Sequence, residues 1–299
     1  MNDDQQNLQG GHEVRATPPA REPRGSGGRA TAIALAVFGG VVLLGAGGTA
    51  AFAATHDLRE AAHPRGTGAQ SQSVSVDGVE SLRVDVAGSD VTARFGDVDE
   101  ATLEVDGKGR SDWKLERHED ELVVSSPDRG FGGWFDIDWF GDDWLSEETV
   151  ILTLPESLND GRLDAEFTLS AGSLDIDGAY GEVDIEVGAG ALKIDGSAES
   201  LDADVSAGRA DVTLAGVTEA DFTVSAGKIV AELIDTTPSS VSIDVSAGSL
   251  DLTVPDDAYR VNQEVSAGSL DNRLDTSNQS RFVIEASVSA GSVVLRAGD

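Results

Sequence analysis

Residues 165–176 read Ala165-Glu166-Phe167-Thr168-Leu169-Ser170-Ala171-Gly172-Ser173-Leu174-Asp175-Ile176, and their pattern recurs to the end of the chain. Aligned on Ala171, Ala189, Ala207, Ala226, Ala247, Ala267 and Ala290, seven units follow one another at spacings of 18, 18, 19, 21, 20 and 23 residues. A glycine follows each of these alanines. Two residues before them stand Leu169, Val187, Val205, Val224, Val245, Val265 and Val288, and three after them Leu174, Leu192, Ala210, Ile229, Leu250, Leu270 and Val293. Four before, the series is Phe167, Ile185, Ala203, Phe222, Ile243, Gln263 and Ala286, with polar residues in between. Alternation with period two marks a strand with one buried face. Each unit therefore holds two strands joined at a Ser-Ala-Gly corner, where glycine tolerates a sharp turn and small side chains stack closely.

A unit of this length has too few apolar side chains for a core of its own, so units must stack and share one. The expected fold is all-β, a single-stranded β-solenoid with each coil about 4.8 Å above the one before it in the chain. A β-sandwich of hairpins gives the same alternation, but it does not require like residues in like columns.

Composition narrows the function classes. The 299 residues contain no Cys, which excludes disulfides, thiolate metal sites and cysteine nucleophiles. Formal charge is −33, and the first 29 residues, with four acids and four arginines, contribute none of it. Such a surface repels phosphate backbones, so nucleic acid is not an expected partner; cations or a positively charged partner are the electrostatic match. A strongly charged face also serves simply to keep a strand-rich protein soluble.

Residues 1–29 are polar, rich in Gly, Pro and Arg, and read as a disordered cytoplasmic tail. Residues 30–55 carry no charge over 26 positions, long enough to span a bilayer as one transmembrane helix. Arg15, Arg21, Arg24 and Arg29 precede it and only Arg59 and Arg65 follow closely, which orients the N-terminus to the cytoplasm. Ala51-Phe52-Ala53 also fits a signal-peptide cleavage site, the alternative being a secreted protein. Residues 56–72 read as a linker, and 73–127 as degenerate β repeats in which Val86-Ala87-Gly88-Ser89 echoes the corner and a hairpin turns around His118, Glu119 and Asp120.

Residues 128–148 break the pattern: Phe131, Trp134, Phe135, Trp139, Phe140 and Trp144 sit among Asp136, Asp138, Asp142 and Asp143. Two readings stand, a partner-binding loop and a cap over the open end of the solenoid. Regular coils are expected over 149–299, beginning with Val150 to Pro155.

Taken together, Val150 to Pro155, Ser170 to Gly178, Gly181-Glu182-Val183-Asp184-Ile185 and Gly188-Ala189-Gly190 resemble a bacterial family of β-strand-repeat ectodomains, the "putative adhesins", a domain of unknown function. The resemblance covers about residues 73–299. It implies a membrane-anchored layout and no catalytic residues.

The residues themselves point away from an enzyme. His12, His56, His63 and His118 are scattered outside the repeats, and no metalloprotease, nucleophile-elbow or phosphate-loop pattern occurs. No cofactor is expected except calcium. Asp244 and Glu264, and Asp251 and Asp271, would stand on adjacent coils in like columns, where carboxylates about 5 Å apart repel unless a cation such as calcium lies between them. Exposed carboxylates that splay into screened solvent are the bland alternative.

The expected protein is therefore a non-enzymatic, single-pass envelope protein, adhesin-like or scaffolding, that meets an envelope polymer or a protein partner. An envelope-sensing ectodomain is the alternative. Homo-oligomerisation is left open, with end-to-end growth through the last coil, Val288 to Leu295, as its route.

Overall fold

Two stacks of short parallel strands meet at the repeated corner. The computed structural model describes residues 70–107, 112–127 and 148–298, all within the second of the chain's two units, residues 63–299. The expected tail, the expected transmembrane helix at 30–55 and all six aromatics of the 128–148 segment lie outside the described residues. Among the described residues no helix is long and apolar enough to cross a membrane.

The strands are β1 (Gln70–Val74), β2 (Ser81–Gly96), β3 (Ala101–Asp106), β4 (Lys114–His118), β5 (Glu121–Ser125), β6 (Thr149–Pro155), β7 (Asp164–Ala179), β8 (Glu182–Val187), β9 (Ala191–Ser197), β10 (Ser200–Val205), β11 (Arg209–Ala215), β12 (Glu219–Val224), β13 (Lys228–Ile234), β14 (Ser240–Val245), β15 (Ser249–Val254), β16 (Arg260–Val265), β17 (Ser269–Asn272), β18 (Val283–Val288) and β19 (Ser292–Ala297). In β2 and β7 one strand runs through the corner. The parallel, in-register pairing of like columns is solenoid-like, as the column argument requires, and is not that of a sandwich of hairpins.

The first stack runs β5, β2 (first half), β7 (first half), β8, β10, β12, β14, β18, β16. The second runs β6, β2 (second half), β7 (second half), β9, β11, β13, β15, β19, β17. Inward columns fill a continuous core. Leu169, Val187, Val205, Val224, Val245 and Val288 are buried, as are Leu174, Leu192, Ala210, Ile229, Leu250 and Val293. Each larger member contributes about 1.5–3 kcal/mol when fully buried. At the corners the backbones themselves touch: a Cβ on Gly227 would lie 2.5 Å from the Gly208 carbonyl oxygen.

Chain order and stacking order part at the far end. The expectation of coils laid down in sequence fails there, because the last coil (β18, β19) lies between β14/β15 and β16/β17. The physical reason is in the inward positions. The coil 260–272 carries Gln263 and Asn272 where other coils carry apolar residues, so as an inner layer it would bury two amides. The last coil offers Ile284, Ala286, Val288, Val293 and Leu295, all buried. It takes the inner place, and the amide-bearing coil becomes the outer layer. The expected growth surface at Val288 to Leu295 is consequently internal.

At the opposite end the stack closes with antiparallel strands: β1 on β3, β3 on β6, and β4 on β5. The Gln72 amide bridges the two sides, donating to the Trp113 carbonyl and accepting from Leu115 N–H at 2.7 and 3.2 Å. The expected hairpin at His118 to Asp120 is present as β4–β5, with Glu119 at φ 58°. β5 and β6 flank the two halves of β2, so Ser125 and Thr149 lie on the two sides of the β2 corner. Just before β6, buried Glu148 accepts from Trp113 Nε1–H and Ser89 Oγ–H, each at 3.2 Å.

Candidate interaction face

Outward columns of the first stack bring carboxylates into rows. One row reads Arg83, Glu166, Asp184, Asp202, Asp221, Ser242, Glu285, Asn262; the next reads Asp85, Thr168, Glu186, Asp204, Thr223, Asp244, Ser287, Glu264. Over β8, β10, β12, β14 and the first half of β7 there are ten acidic and no basic residues. Strand spacing sets neighbours in a row about 4.8 Å apart.

The second stack is built differently. Its matching strands, β9, β11, β13, β15 and the second half of β7, carry six acids with Lys193, Arg209 and Lys228. There Lys193 pairs with Asp195, Arg209 with Asp211 at 2.5 Å, and Lys228 and Arg296 both with Asp251 at 3.2 Å. On the first stack only the end of the ladder is compensated, where Arg83 bridges Glu121 and Glu166 at 3.1 and 3.0 Å. Among the described residues Asp184, Glu186, Asp202, Asp204 and Asp221 form no ion pair. The negative charge is thus concentrated on one stack.

Proton affinity registers the crowding. Partial enclosure between neighbouring rows, then the charges of Asp202, Glu166, Glu186 and Glu182, pushes Asp184 up to about 6. Asp202 is raised by the same enclosure and then by Asp221, Asp204, Glu186 and Glu182, and Asp204 by enclosure. Beside the ladder, where the strands begin, a polar groove of about 550 Å³ is lined by Asp164, Glu182, Glu199, Ser200, Thr218 and Glu219 among others.

The expected cation residues are not brought together. Ser287 stands between Asp244 and Glu264, and Val294 between Asp251 and Asp271, so each pair is two layers, about 10 Å, apart. Asp251 is held by two cations and Asp271 by Arg273 at 2.6 Å. Among the described residues no group of three or more His, Asp or Glu is placed to hold a metal ion. The row that matters, Glu166, Asp184, Asp202 and Asp221, lies five residues before the alanines and is visible in the same alignment.

No protein-family model matches the chain, and no curated protein matches it. Among solved structures it is similar to a putative adhesin from Parabacteroides distasonis, at 14% identity and a TM-score of 0.41, covering 77% of this chain and 97% of that one. A putative adhesin from Bacteroides fragilis gives 11%, 0.40, and coverage of 78% and 98%. A putative lipid-binding protein from Parabacteroides distasonis gives 13%, 0.40, and coverage of 76% and 96%. Likeness at this level transfers no function.

Proposed function

We propose that this chain is a non-enzymatic, adhesin-like envelope protein, anchored by residues 30–55, whose ectodomain binds a cationic polymer or protein through the acidic first stack. The observation that carries the reading is the ladder of Glu166, Asp184, Asp202 and Asp221, in which only the terminal Glu166 is ion-paired among the described residues, set against a second stack in which Asp195, Asp211 and Asp251, three of its six acids, are paired in place. A rigid row of carboxylates repels itself, and an incoming row of ammonium or guanidinium groups relieves that repulsion without reorganising the protein. Binding favours the ionised ladder, so it weakens as pH falls through about 6, where Asp184 takes up its proton.

The test uses the full chain in detergent with poly-lysine as the probe. Replacing Asp184, Asp202 and Asp221 by Asn should weaken binding about tenfold, whereas replacing Asp175 and Asp177 by Asn and Glu232 by Gln, the same change in net charge on the second stack, should leave it nearly unchanged. Equal losses in both variants would reduce the effect to net charge and overturn the reading.

A further inference from the structure

The outermost layer is β16 with β17, and β16 presents one edge to the stack and the other to solvent. Arg260 N–H donates to the Phe282 carbonyl on the stack side. Alternation along a strand in a parallel pair then points the peptide groups of Val261, Gln263 and Val265 outward. Among the described residues no strand pairs with that edge; only its start is covered, where Tyr259 N–H donates to Asp275 O and Tyr259 O accepts from Ser277 N–H. Val265 is 39% exposed, although its column is buried in the inner coils.

Charge separates this end from the rest. Residues 259–298, the two outermost layers with their connection, carry four arginines (Arg260, Arg273, Arg281, Arg296) and four carboxylates (Glu264, Asp271, Asp275, Glu285). The end is neutral in a chain of formal charge −33. Copies of so acidic a chain repel one another, and this end adds no net charge to that repulsion.

We infer that this end is a self-association surface, on which a second copy of the chain pairs its β16 antiparallel to β16 about a two-fold axis at Gln263. That register sets Val261 against the partner's Val265 and Gln263 against the partner's Gln263. It satisfies all three outward peptide groups on each side and leaves the occupied Tyr259 out. Inward residues stay inward, so the two valines extend the core across the junction while the glutamine amides pair. On the outer face Arg260 comes diagonal to the partner's Glu264, within reach of long side chains. A register shifted by two residues, centred on Asn262, would need Tyr259 to pair with Val265, and Tyr259 is already taken.

The chain has no cysteine, so a single introduced thiol reports the contact alone. Gln263→Cys in the full chain, in detergent and under mild oxidation, should form a disulfide-linked dimer, since opposed residues in an antiparallel pair lie within disulfide range. Ser242→Cys, on the inner strand β14, should give background only. Light scattering of the unmodified chain should show mass rising with concentration, and Val265→Lys should shift that rise to about tenfold higher concentration. A constant monomer mass, with Gln263→Cys cross-linking no more than Ser242→Cys, overturns the proposal. A monomer whose introduced thiol at 263 is shielded from a maleimide also overturns it and assigns the edge to another segment of this chain.

Discussion

Corner glycines are required by distance more than by backbone angle. Of the glycines that follow the seven alanines, Gly172 and Gly190 have positive φ, yet a Cβ at Gly208 or Gly227 would also meet the carbonyl oxygen of the layer below, at 2.7 and 2.5 Å. Gly227→Ala forces two layers apart and should cost about 1–3 kcal/mol, read as a lower melting temperature. Asp184 makes the complementary case on the outer surface. Its pKa in the fold, about 6, lies above its ordinary value of 3.8, so between those limits the folded chain binds more protons than the unfolded chain. Stability therefore falls as pH rises from about 4 to about 6. Asp184→Asn should flatten that part of the profile and raise the melting temperature at pH 7 but not at pH 3.5. The residue is solvent-exposed, so added salt should reduce the difference.

At the level of elements, the repeat was legible because every buried column is apolar in nearly every copy. Strand positions, the corner and the hairpin at His118 to Asp120 all follow from period two and turn chemistry. The order of the last two coils was equally written, in Gln263 and Asn272, but a polar residue in a core column reads as a lapse of the repeat until one asks which layer can bear it. The expected cation pairs failed for a related reason: chain order pairs Asp244 with Glu264 and Asp251 with Asp271, whereas a coil that comes later in the chain stands between them, while the ladder itself follows chain order five residues before the alanines. The antiparallel closure by β1, β3 and β4 has no column signature at all. Because β16 and β17 pair with β18 and β19 but not with β14 and β15, removing residues 283–299 should detach the coil 260–272 as well. Hydrogen exchange should then show its amides unprotected while those of β8 to β13 stay slow.

Over the whole described unit, charge and stacking oppose each other. With −33 on the chain and ten carboxylates concentrated on one stack, self-repulsion works against the compact state. Raising sodium chloride from about 0.05 to 0.5 M shortens the screening length from above 10 Å to below 5 Å and should raise the melting temperature at pH 7. A triple Asp184→Asn, Asp202→Asn, Asp221→Asn variant should gain less from the same salt. Repeat stacks fold by nearest-neighbour propagation, so the layers from β7 to β15 can close one after another as they are synthesised. The displaced final coil changes that timetable. Residues 260–272 leave the ribosome before residues 283–297 and have no stacking partner until those arrive, so that coil closes out of chain order. A chain released before residue 283 leaves the coil 260–272 frayed and open to proteases, and synthesis of residues 283–297 seals it: the stacking order sets a proofreading interval between the two coils.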